Sequence, residues 1–562
     1  MGKQRSVVFL IVIAALALGA RSGQAAAQSA GKDPAPPIYI PQGHPVYGTL
    51  ELFRGAGLLA DVALDRRPLS RHVVARALQA GIERARERGL EMLARTGEWR
   101  LRDFPEASED DPNAPDPRPG LLGVRWQNED ISLTGELSFE IAYDARTDLP
   151  PDYKKAWIGR SGFEIYGTIG DRVGFAGRYR QSTEKREGSI RDAPFAPVQT
   201  IPGGNRGHTG ERVYSESNGH ISWQGKHFGF DFRFDSPAWG PSPARNLLFS
   251  GHVPNFAHAV GRIGIGGWLH YTVLAGQLRS GIIDTTRSYP SDIPRSERQL
   301  ERAKYLIAHR LEIRPLPRFQ IGLCEAVIAG DRFPEMLYLV PTISVWEVQH
   351  YLNDPDNTMI SLDLNWSPVK GPRLYGAIAL DEWHIGATFS ENESHNWMAF
   401  QIGADWTLPL AGGRYHLWLE ASRVNPNVYR HKFAVNDWTH SSSLLGFWSG
   451  QNAEVVQGEL SCQVSPPLQI GLWSRYARKG GIVSREEQYT IPPSEDFLLG
   501  PIRLGSWVGA RVRFEGKHNW LVNAEVVRAP EALWPHNRDS TTLPAMLDRE
   551  WHYSLRWAYN LF

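Results

Sequence analysis

Apolar and polar residues alternate with a period of two over most of the chain beyond residue 121. In the last twelve residues, the odd positions from Trp551 to Leu561 are apolar or aromatic and most even positions are polar. A period of two places the two sets on opposite faces of one β-strand. Comparable segments are 131–143, 228–234, 360–366, 400–406 and 508–514.

Charged residues interrupt these apolar stripes, as Asp231 and Arg233 do within the phenylalanines of 228–234. One face of each strand must therefore meet water or charge partners. A soluble sandwich would give the same pattern. The number of strands and the absence of a second soluble core favour a barrel whose apolar face meets lipid. About 440 residues at roughly 24 per strand predict 16 to 18 strands, an even number, with room for an aqueous lumen.

The first 27 residues have the pattern of a signal peptide. Lys3 and Arg5 precede an apolar run over 7–20, and the small residues 25–27 suit a cleavage site. The alternative, a membrane anchor, would need a longer run, because about 20 residues are required to cross a bilayer as a helix. We therefore expect an exported chain with cleavage after Ala27.

Residues 28–104 predict a small helical bundle on the periplasmic side. Pro45 suits the first turn of one helix, Ser70 is a candidate N-cap for a second, and a third short helix is expected around Leu93. Such a unit is marginal alone and should dock on something larger. Residues 105–120 hold five prolines and predict a linker, and 121–562 are assigned to the barrel.

The composition adds few constraints. The chain has 61 basic and 61 acidic residues, which gives no reason to expect nucleic-acid binding. Its 20 tryptophans, 19 tyrosines and 54 glycines suit aromatic girdles and tight turns. Cys324 and Cys462 are far apart and have no zinc-ligand spacing, so we predict neither a disulfide nor a metal site, and no cofactor.

Four segments resemble the Wzi-type capsule assembly proteins. They are 43–47, 235–241, 245–250 and 309–317. The most specific resemblance is a Trp-Gly-Pro followed by Leu-Leu-x-Ser at the end of a strand, formed here by Trp239, Gly240, Pro241, Leu247, Leu248 and Ser250.

The resemblance implies a mainly β protein of the bacterial outer membrane: an antiparallel transmembrane barrel of about 18 strands with a periplasmic helical bundle. It also implies a non-enzymatic lectin that attaches capsular or extracellular polysaccharide to the cell surface. Lipids, lipopolysaccharide and the barrel-insertion machinery would be its other partners. Sugar rings stack on aromatic faces and acidic sugars pair with arginine. The candidate contacts in loop-like stretches are Trp239, Arg245, His252, Trp438 and Trp448. The same residues could instead pack strand ends.

Two alternatives remain. A porin would have an open lumen, whereas a lectin barrel can be plugged. An enzyme is suggested by Ser217, because 214–219 resembles the His-x-Ser-Asn-Gly stretch of outer-membrane phospholipase A. Ser215 occupies the histidine position, and His220 is out of phase for the same strand face, so we predict no catalytic residue. The neighbouring acids Asp381 and Glu382 should point to opposite faces, which makes them a poor catalytic pair.

Overall fold

In a computed structural model, 18 long strands form one closed antiparallel barrel. The described residues are 36–104, 122–146, 155–185, 201–202, 211–293, 296–369, 371–382, 397–481, 484–486, 497–516, 520–529 and 550–559. The predicted signal peptide and the predicted linker 105–120 lie outside them. The strands are β1 Ile131–Arg146, β2 Lys155–Ile169, β3 Val173–Lys185, β4 Glu211–Gln224, β5 Phe228–Asp235, β6 Phe256–Ile265, β7 Leu269–Ile283, β8 Glu301–Leu316, β9 Phe319–Gly330, β10 Asn357–Trp366, β11 Arg373–Glu382, β12 Trp397–Leu408, β13 Tyr415–Val424, β14 Ala453–Ser465, β15 Leu468–Lys479, β16 Arg503–Glu515, β17 Trp520–Ala529 and β18 Glu550–Tyr559.

The last strand closes the barrel against the first. β18 pairs antiparallel with β1, with Tyr559 opposite Phe139 and His552 opposite Arg146. Two short segments, Gly123–Gln127 and Ile201–Pro202, add pairings beside β1 and β4. The predicted barrel of about 18 strands is therefore confirmed, and closure pairs each of the 18 described strands with a neighbour on both sides.

The period of two separates an outer apolar face from an inner polar one. On β5, Phe230 and Phe232 are more than half exposed, whereas Asp231 is fully buried on the lumen side. On β18, Trp551 and Leu555 are exposed as predicted. Tyr559 departs from that stripe: it is only 2 % exposed, because it packs against Trp520 and its hydroxyl accepts a hydrogen bond from Leu122 N.

The two ends of the barrel differ in the length of their connections. At one end, successive strands are joined by two to six residues, as at 317–318 between β8 and β9. At the other end, the connections run from 8 to 28 residues. Short turns at one end and long loops at the other are typical of outer-membrane barrels. We call them the short-turn end and the long-loop end.

Within the described residues, three helices precede the barrel: α1 Val46–Gly55, α2 Arg71–Glu87 and α3 Glu91–Leu101. Ser70 caps α2 as predicted, its hydroxyl accepting a hydrogen bond from Val73 N at 3.4 Å. The apolar faces of the helices share one core that includes Leu50, Phe53 and Leu78. Within the described residues, no helix is long and apolar enough to cross a membrane. A fourth helix, α4 Val345–Tyr351, lies in the long connection between β9 and β10.

Candidate functional site

The segment 36–104, which we call the helical unit, is docked inside the short-turn end of the barrel. Its residues contact side chains of at least eleven strands. The contacts include Arg71 with Tyr166 on β2, Pro37 with Ser222 on β4, Tyr39 with Asp231 on β5, Tyr39 with Arg262 on β6, Arg66 with Thr272 on β7, Arg66 with Glu312 on β8, Asp65 with Gln320 on β9, Arg54 with Asn365 on β10, Glu51 with Arg373 on β11, Leu52 with Thr407 on β12 and Arg100 with Glu515 on β16. The expectation that this unit docks on something larger is confirmed.

Buried charges hold the helical unit to the wall. Glu51 accepts hydrogen bonds from Arg54 and Arg67, and its other oxygen lies 3.7 Å from Arg373 Nη2. Burial alone would raise the pKa of Glu51, but the charges of Arg54, Arg373 and Arg67 lower it to about 2. The carboxylate is therefore ionised at neutral pH, and the docked unit depends on this charge cluster.

A second layer lies above the helical unit. The connection between β5 and β6, residues 236–255, turns into the lumen, and we call it the inner loop. Its segments Ala238–Trp239 and Phe249–Ser250 form a three-stranded sheet with Arg66–Arg67 of the helical unit. Gly240 N also donates to Asp65 O at 2.8 Å. The inner loop, together with the helical unit, thus fills part of the lumen.

The Trp-Gly-Pro turn shapes this loop. Gly240 has φ of +136°, and a Cβ there would lie 2.5 Å from Asn246 Oδ1. That oxygen already accepts a hydrogen bond from Ser242 N at 2.9 Å. Only glycine suits both the backbone conformation and the close approach of Asn246. The motif therefore specifies a tight turn inside the lumen.

Polar groups of the wall hold the inner loop from the other side. Ser242 Oγ donates to Glu420 Oε2 at 2.6 Å, and Gln401 Nε2 donates to Arg245 O at 2.8 Å. Arg373 Nη2 donates to Pro241 O at 3.1 Å. Strands β11, β12 and β13 thereby position the loop and the Arg245 side chain that it carries.

A third layer comes from residues 425–452, between β13 and β14, which we call the outer loop. Trp438 Nε1 donates to Leu248 O at 2.9 Å, and Tyr429 Oη donates to Leu247 O at 2.7 Å. Ser250 N donates to Leu445 O at 2.8 Å. The helical unit, the inner loop and the outer loop are therefore stacked along the lumen.

Two of the predicted sugar-stacking tryptophans belong to the packed interior. Trp438 is fully buried, and Trp239 is 5 % exposed with its ring 5.2 Å from that of Phe249. Leu247, Leu248 and Ser250 are also buried. For Trp239 and Trp438 the structure agrees with the packing alternative, because these indoles fill the apolar interface between the inner and outer loops. His252 is half-buried, and its Nδ1 lies 3.2 Å from Ser250 O.

The other two predicted residues come together with two that the sequence did not single out. Arg245, Trp448, Arg475 and Trp507 form what we call the arginine–tryptophan cluster, and all four are half-buried. The guanidinium of Arg475 lies over the Trp448 ring at 4.6 Å. The Trp448 and Trp507 rings meet edge to face, with centroids 6.2 Å apart. Aromatic faces and cationic groups therefore share one partly accessible part of the lumen.

The cluster carries positive charge without a carboxylate partner. Elsewhere, lumen arginines pair with acids, as Arg310 does with Asp363 at 2.7 Å. In the part of the chain that the structure describes, neither Arg245 nor Arg475 has a carboxylate within 4 Å. Burial, together with the charge of Arg475, lowers the pKa of Arg245 to about 9. The Arg245 guanidinium therefore remains charged at neutral pH and can donate hydrogen bonds to an anion.

A hydrogen-bond relay fixes the orientation of Arg475. Its Nε donates to Gln457 Oε1 at 2.9 Å, and Gln457 Nε2 donates to Glu420 Oε1 at 2.8 Å. Glu420 is the residue that also accepts from Ser242 of the inner loop. The relay leaves the terminal nitrogens of Arg475 with no hydrogen-bond acceptor among the described residues. The hydrogen bond through Nε thus positions Arg475, and its terminal nitrogens can donate to a ligand.

The sequence did not single out Arg475 or Trp507, because each fits the ordinary alternation of side chains between the two faces of its strand. The two residues are direct partners in the β15–β16 ladder. One signal was available: Trp507 is followed by Gly509 and preceded by Gly505, and a Cβ at Gly505 would collide with the Trp507 ring at 2.3 Å. Small residues on the inward side of a strand make room for a large ring lying along the wall.

The serine that suggested an enzyme is separated from the nearby histidine. His220 Nε2 accepts a hydrogen bond from Tyr39 N at 3.2 Å on the lumen side. Ser217 lies on the opposite face of β4, in phase with the exposed residues Ile221 and Trp223. A base on one face of the wall cannot activate a hydroxyl on the other.

These features define the protein as an 18-stranded antiparallel barrel whose lumen holds an N-terminal helical unit and two folded-in loops. Its fold is similar to that of Wzi, described as an outer-membrane protein involved in group 1 capsule assembly in Escherichia coli and as a carbohydrate-binding β-barrel. The TM-score is 0.53 at 13 % identity, covering 92 % of this chain and 98 % of Wzi.

Two further barrels are less similar. OccK11 (OpdR) of Pseudomonas aeruginosa gives a TM-score of 0.42 at 9 % identity, covering 78 % of this chain and 99 % of its own. OccAB4 of Acinetobacter baumannii gives 0.41 at 8 %, covering 77 % and 98 %. Neither likeness is strong enough to bear on function. No protein-family model matches the sequence, and no curated protein matches it significantly.

Proposed function

We propose that this protein is an outer-membrane barrel that binds a capsular or extracellular polysaccharide and holds it at the cell surface, without catalysis. The observation that carries the proposal is the arginine–tryptophan cluster: Arg475 lies over the Trp448 ring, Trp448 meets Trp507 edge to face, and the charge of Arg245 interacts with that of Arg475. Indole faces suit sugar rings, and guanidinium groups suit the acids of many surface glycans. The Wzi-like fold supports the same type of function.

The filled lumen argues against the alternative, a porin. A solute would have to pass the helical unit, the inner loop and the outer loop, which are joined to each other and to the wall by hydrogen bonds and ion pairs. A barrel of this size would otherwise enclose a water-filled channel. The stacked layers suit a binding protein better than a channel.

The arrangement of short turns and long loops supports an orientation. Outer-membrane barrels have short turns on the periplasmic side and longer loops outside. The helical unit would then face the periplasm, and the outer loop would lie on the cell-surface side. A polymer at the surface would reach the arginine–tryptophan cluster from the long-loop end. Export through a cleaved signal peptide and insertion by the barrel-assembly machinery belong to the same proposal.

The test is to delete the gene and follow the polymer. We expect synthesis and export to continue while the polymer is shed into the medium. Loss of an export channel would instead trap polymer in the periplasm, and normal retention in the deletion strain would remove the proposal.

Point variants then test the site. The Arg245→Gln/Arg475→Gln double variant should bind acidic polymer at least tenfold more weakly, since each charge-assisted hydrogen bond contributes about 1.5–3 kcal/mol. Arg478→Gln is the matched control, because Arg478 lies on the same strand but pairs with Glu454. Unchanged binding by a properly inserted double variant would eliminate this site.

A further inference from the structure

A cavity lies at the opposite end of the lumen from the arginine–tryptophan cluster. It occupies about 450 Å³ between α2 of the helical unit and the wall formed by β5 to β8. Asp61 and Arg76 at its rim are exposed, whereas Trp239 and Leu274 are buried. The cavity therefore runs from an open rim at the short-turn end towards the inner loop. Its volume is within the range of small-ligand sites.

The lining of this cavity combines an apolar patch with several arginines. The patch is formed by Val62, Pro68, Val73, Ala77 and Ala80 of the helical unit. Arg66 and Arg76 come from the same unit, whereas Arg233, Arg262 and Arg314 come from the wall. A ligand that fills the space would meet both apolar groups and cations.

Two of the five arginines are neutralised. Arg233 donates two hydrogen bonds to Asp235, at 2.9 and 2.6 Å. Arg262 donates two to Asp231, at 2.9 and 2.8 Å, and Tyr39 Oη donates to the same carboxylate at 2.8 Å. These pairs give the cavity a rigid polar floor and contribute no free charge.

The other three arginines have weaker partners or none. Arg66 is 3.8 Å from Glu312, a carboxylate that also accepts from Arg310. Arg314 donates to the carbonyl of Gly267 at 2.6 Å, and neither Arg314 nor Arg76 has a carboxylate within 4 Å among the described residues. The rim acid Asp61 already forms two hydrogen bonds with Arg84, at 2.6 and 2.7 Å. The cavity is left with a positive charge at its rim.

We propose that this cavity binds an anionic sugar, with its carboxylate or phosphate at Arg76 and Arg314 and its ring against the apolar patch formed by Pro68, Val73 and Ala77. The volume accepts a ring of this size, and the two rim guanidinium groups suit oxyanions. The site opens at the short-turn end, so it would meet its ligand on the periplasmic side. It shares no residue with the arginine–tryptophan cluster.

The experiment uses the full-length barrel in detergent, carrying Arg245→Gln/Arg475→Gln so that the other basic site is silent. Glucuronate, glucose 1-phosphate and glucose are titrated by calorimetry and by ligand-detected NMR. Binding of either anion at least tenfold more tightly than glucose is expected, and the better anion identifies the charged group. Equal affinity for all three probes, or binding of none, would overturn the proposal.

Two variants locate the bound probe. Arg76→Gln/Arg314→Gln should weaken anion binding at least tenfold, whereas the control Arg95→Gln, exposed on α3 and outside the cavity, should leave it unchanged. Ala80→Trp should block the cavity while the barrel keeps its heat-modifiable migration on gels. Anion binding that survives both variants would place the probe elsewhere and defeat the proposal.

Discussion

Arg373 on β11 and Glu51 on α1 lie 3.7 Å apart, measured from Nη2 to Oε2, deep in the lumen. The same guanidinium donates to Asp405 at 2.6 Å through Nε and to the inner-loop carbonyl of Pro241 at 3.1 Å through Nη2. One side chain thus joins the wall, the helical unit and the inner loop. The filling of the lumen depends on such shared charges as well as on apolar packing.

Arg373→Met should loosen the docked helical unit. The change leaves the buried carboxylates of Glu51 and Asp405 without one of their cations, which typically costs about 3–5 kcal/mol. Trypsin should then cut detergent-purified protein within α2, around Arg84 to Arg88, where the parent protein resists. Arg318→Met, in the short turn between β8 and β9, is the control. Equal protease resistance in both variants would contradict the role of Arg373.

Acid should weaken docking over a defined pH range. The pKa of Glu51 is lowered from 4.5 to about 2, so its stabilising contribution is complete above pH 4.5 and is lost as the pH falls through about 2. Pepsin cleavage of the helical unit should increase across that interval. In Glu51→Gln, which has no carboxylate at this position, the increase should be smaller. A pH profile identical to that of the parent would show that other groups control docking.

Trp438 and Trp448 should respond differently to substitution. Trp438 is fully buried and donates to Leu248 O, so Trp438→Ala should lower the free energy of unfolding by about 3–5 kcal/mol. Trp448 is half-buried, so Trp448→Ala should weaken glycan binding with a smaller effect on stability, and Trp448→Phe should keep much of the binding. Thermal unfolding and glycan binding are measured on the same samples. The reverse pattern would exchange the two assigned roles.

Glycan binding by the cluster should decrease at alkaline pH. The pKa of Arg245 is lowered to about 9 by burial and by Arg475, so the charged form that attracts an anion is lost as the pH rises through about 9. Affinity for an acidic polymer should be constant near neutral pH and fall above pH 9. Arg245→Gln should bind weakly at every pH and lack this step. A parent protein without the step would contradict the involvement of Arg245.

The intact protein should conduct poorly in planar bilayers. The helical unit, the inner loop and the outer loop lie across the lumen and should obstruct the path of ions. Arg373→Met, by loosening the lowest layer, should increase the frequency of opening events. Steady, large conductance by the parent protein would instead support the porin alternative.

Much of the barrel was determined by the sequence alone. The alternation in 228–234 and 551–557 predicted both the strands and the apolar face that is exposed on the outside of the barrel, because side chains on a strand point to opposite sides in turn. Ser70 predicted the start of α2 through its capping hydroxyl. These features depend on neighbours within a few residues, which a single sequence displays directly.

The site was decided by the tertiary structure. Arg245 and Arg475 are 230 positions apart, and only the closure of the barrel and the inward course of the inner loop place them together. Leu247 and Leu248 were recognised only as part of a family motif, and their partner, the outer loop with Trp438, lies 190 positions beyond Leu248 in the sequence. Periodicity assigns a residue to a face of its own strand. Which faces meet across a closed lumen depends on register, strand number and the paths of loops, and these are properties of the whole chain.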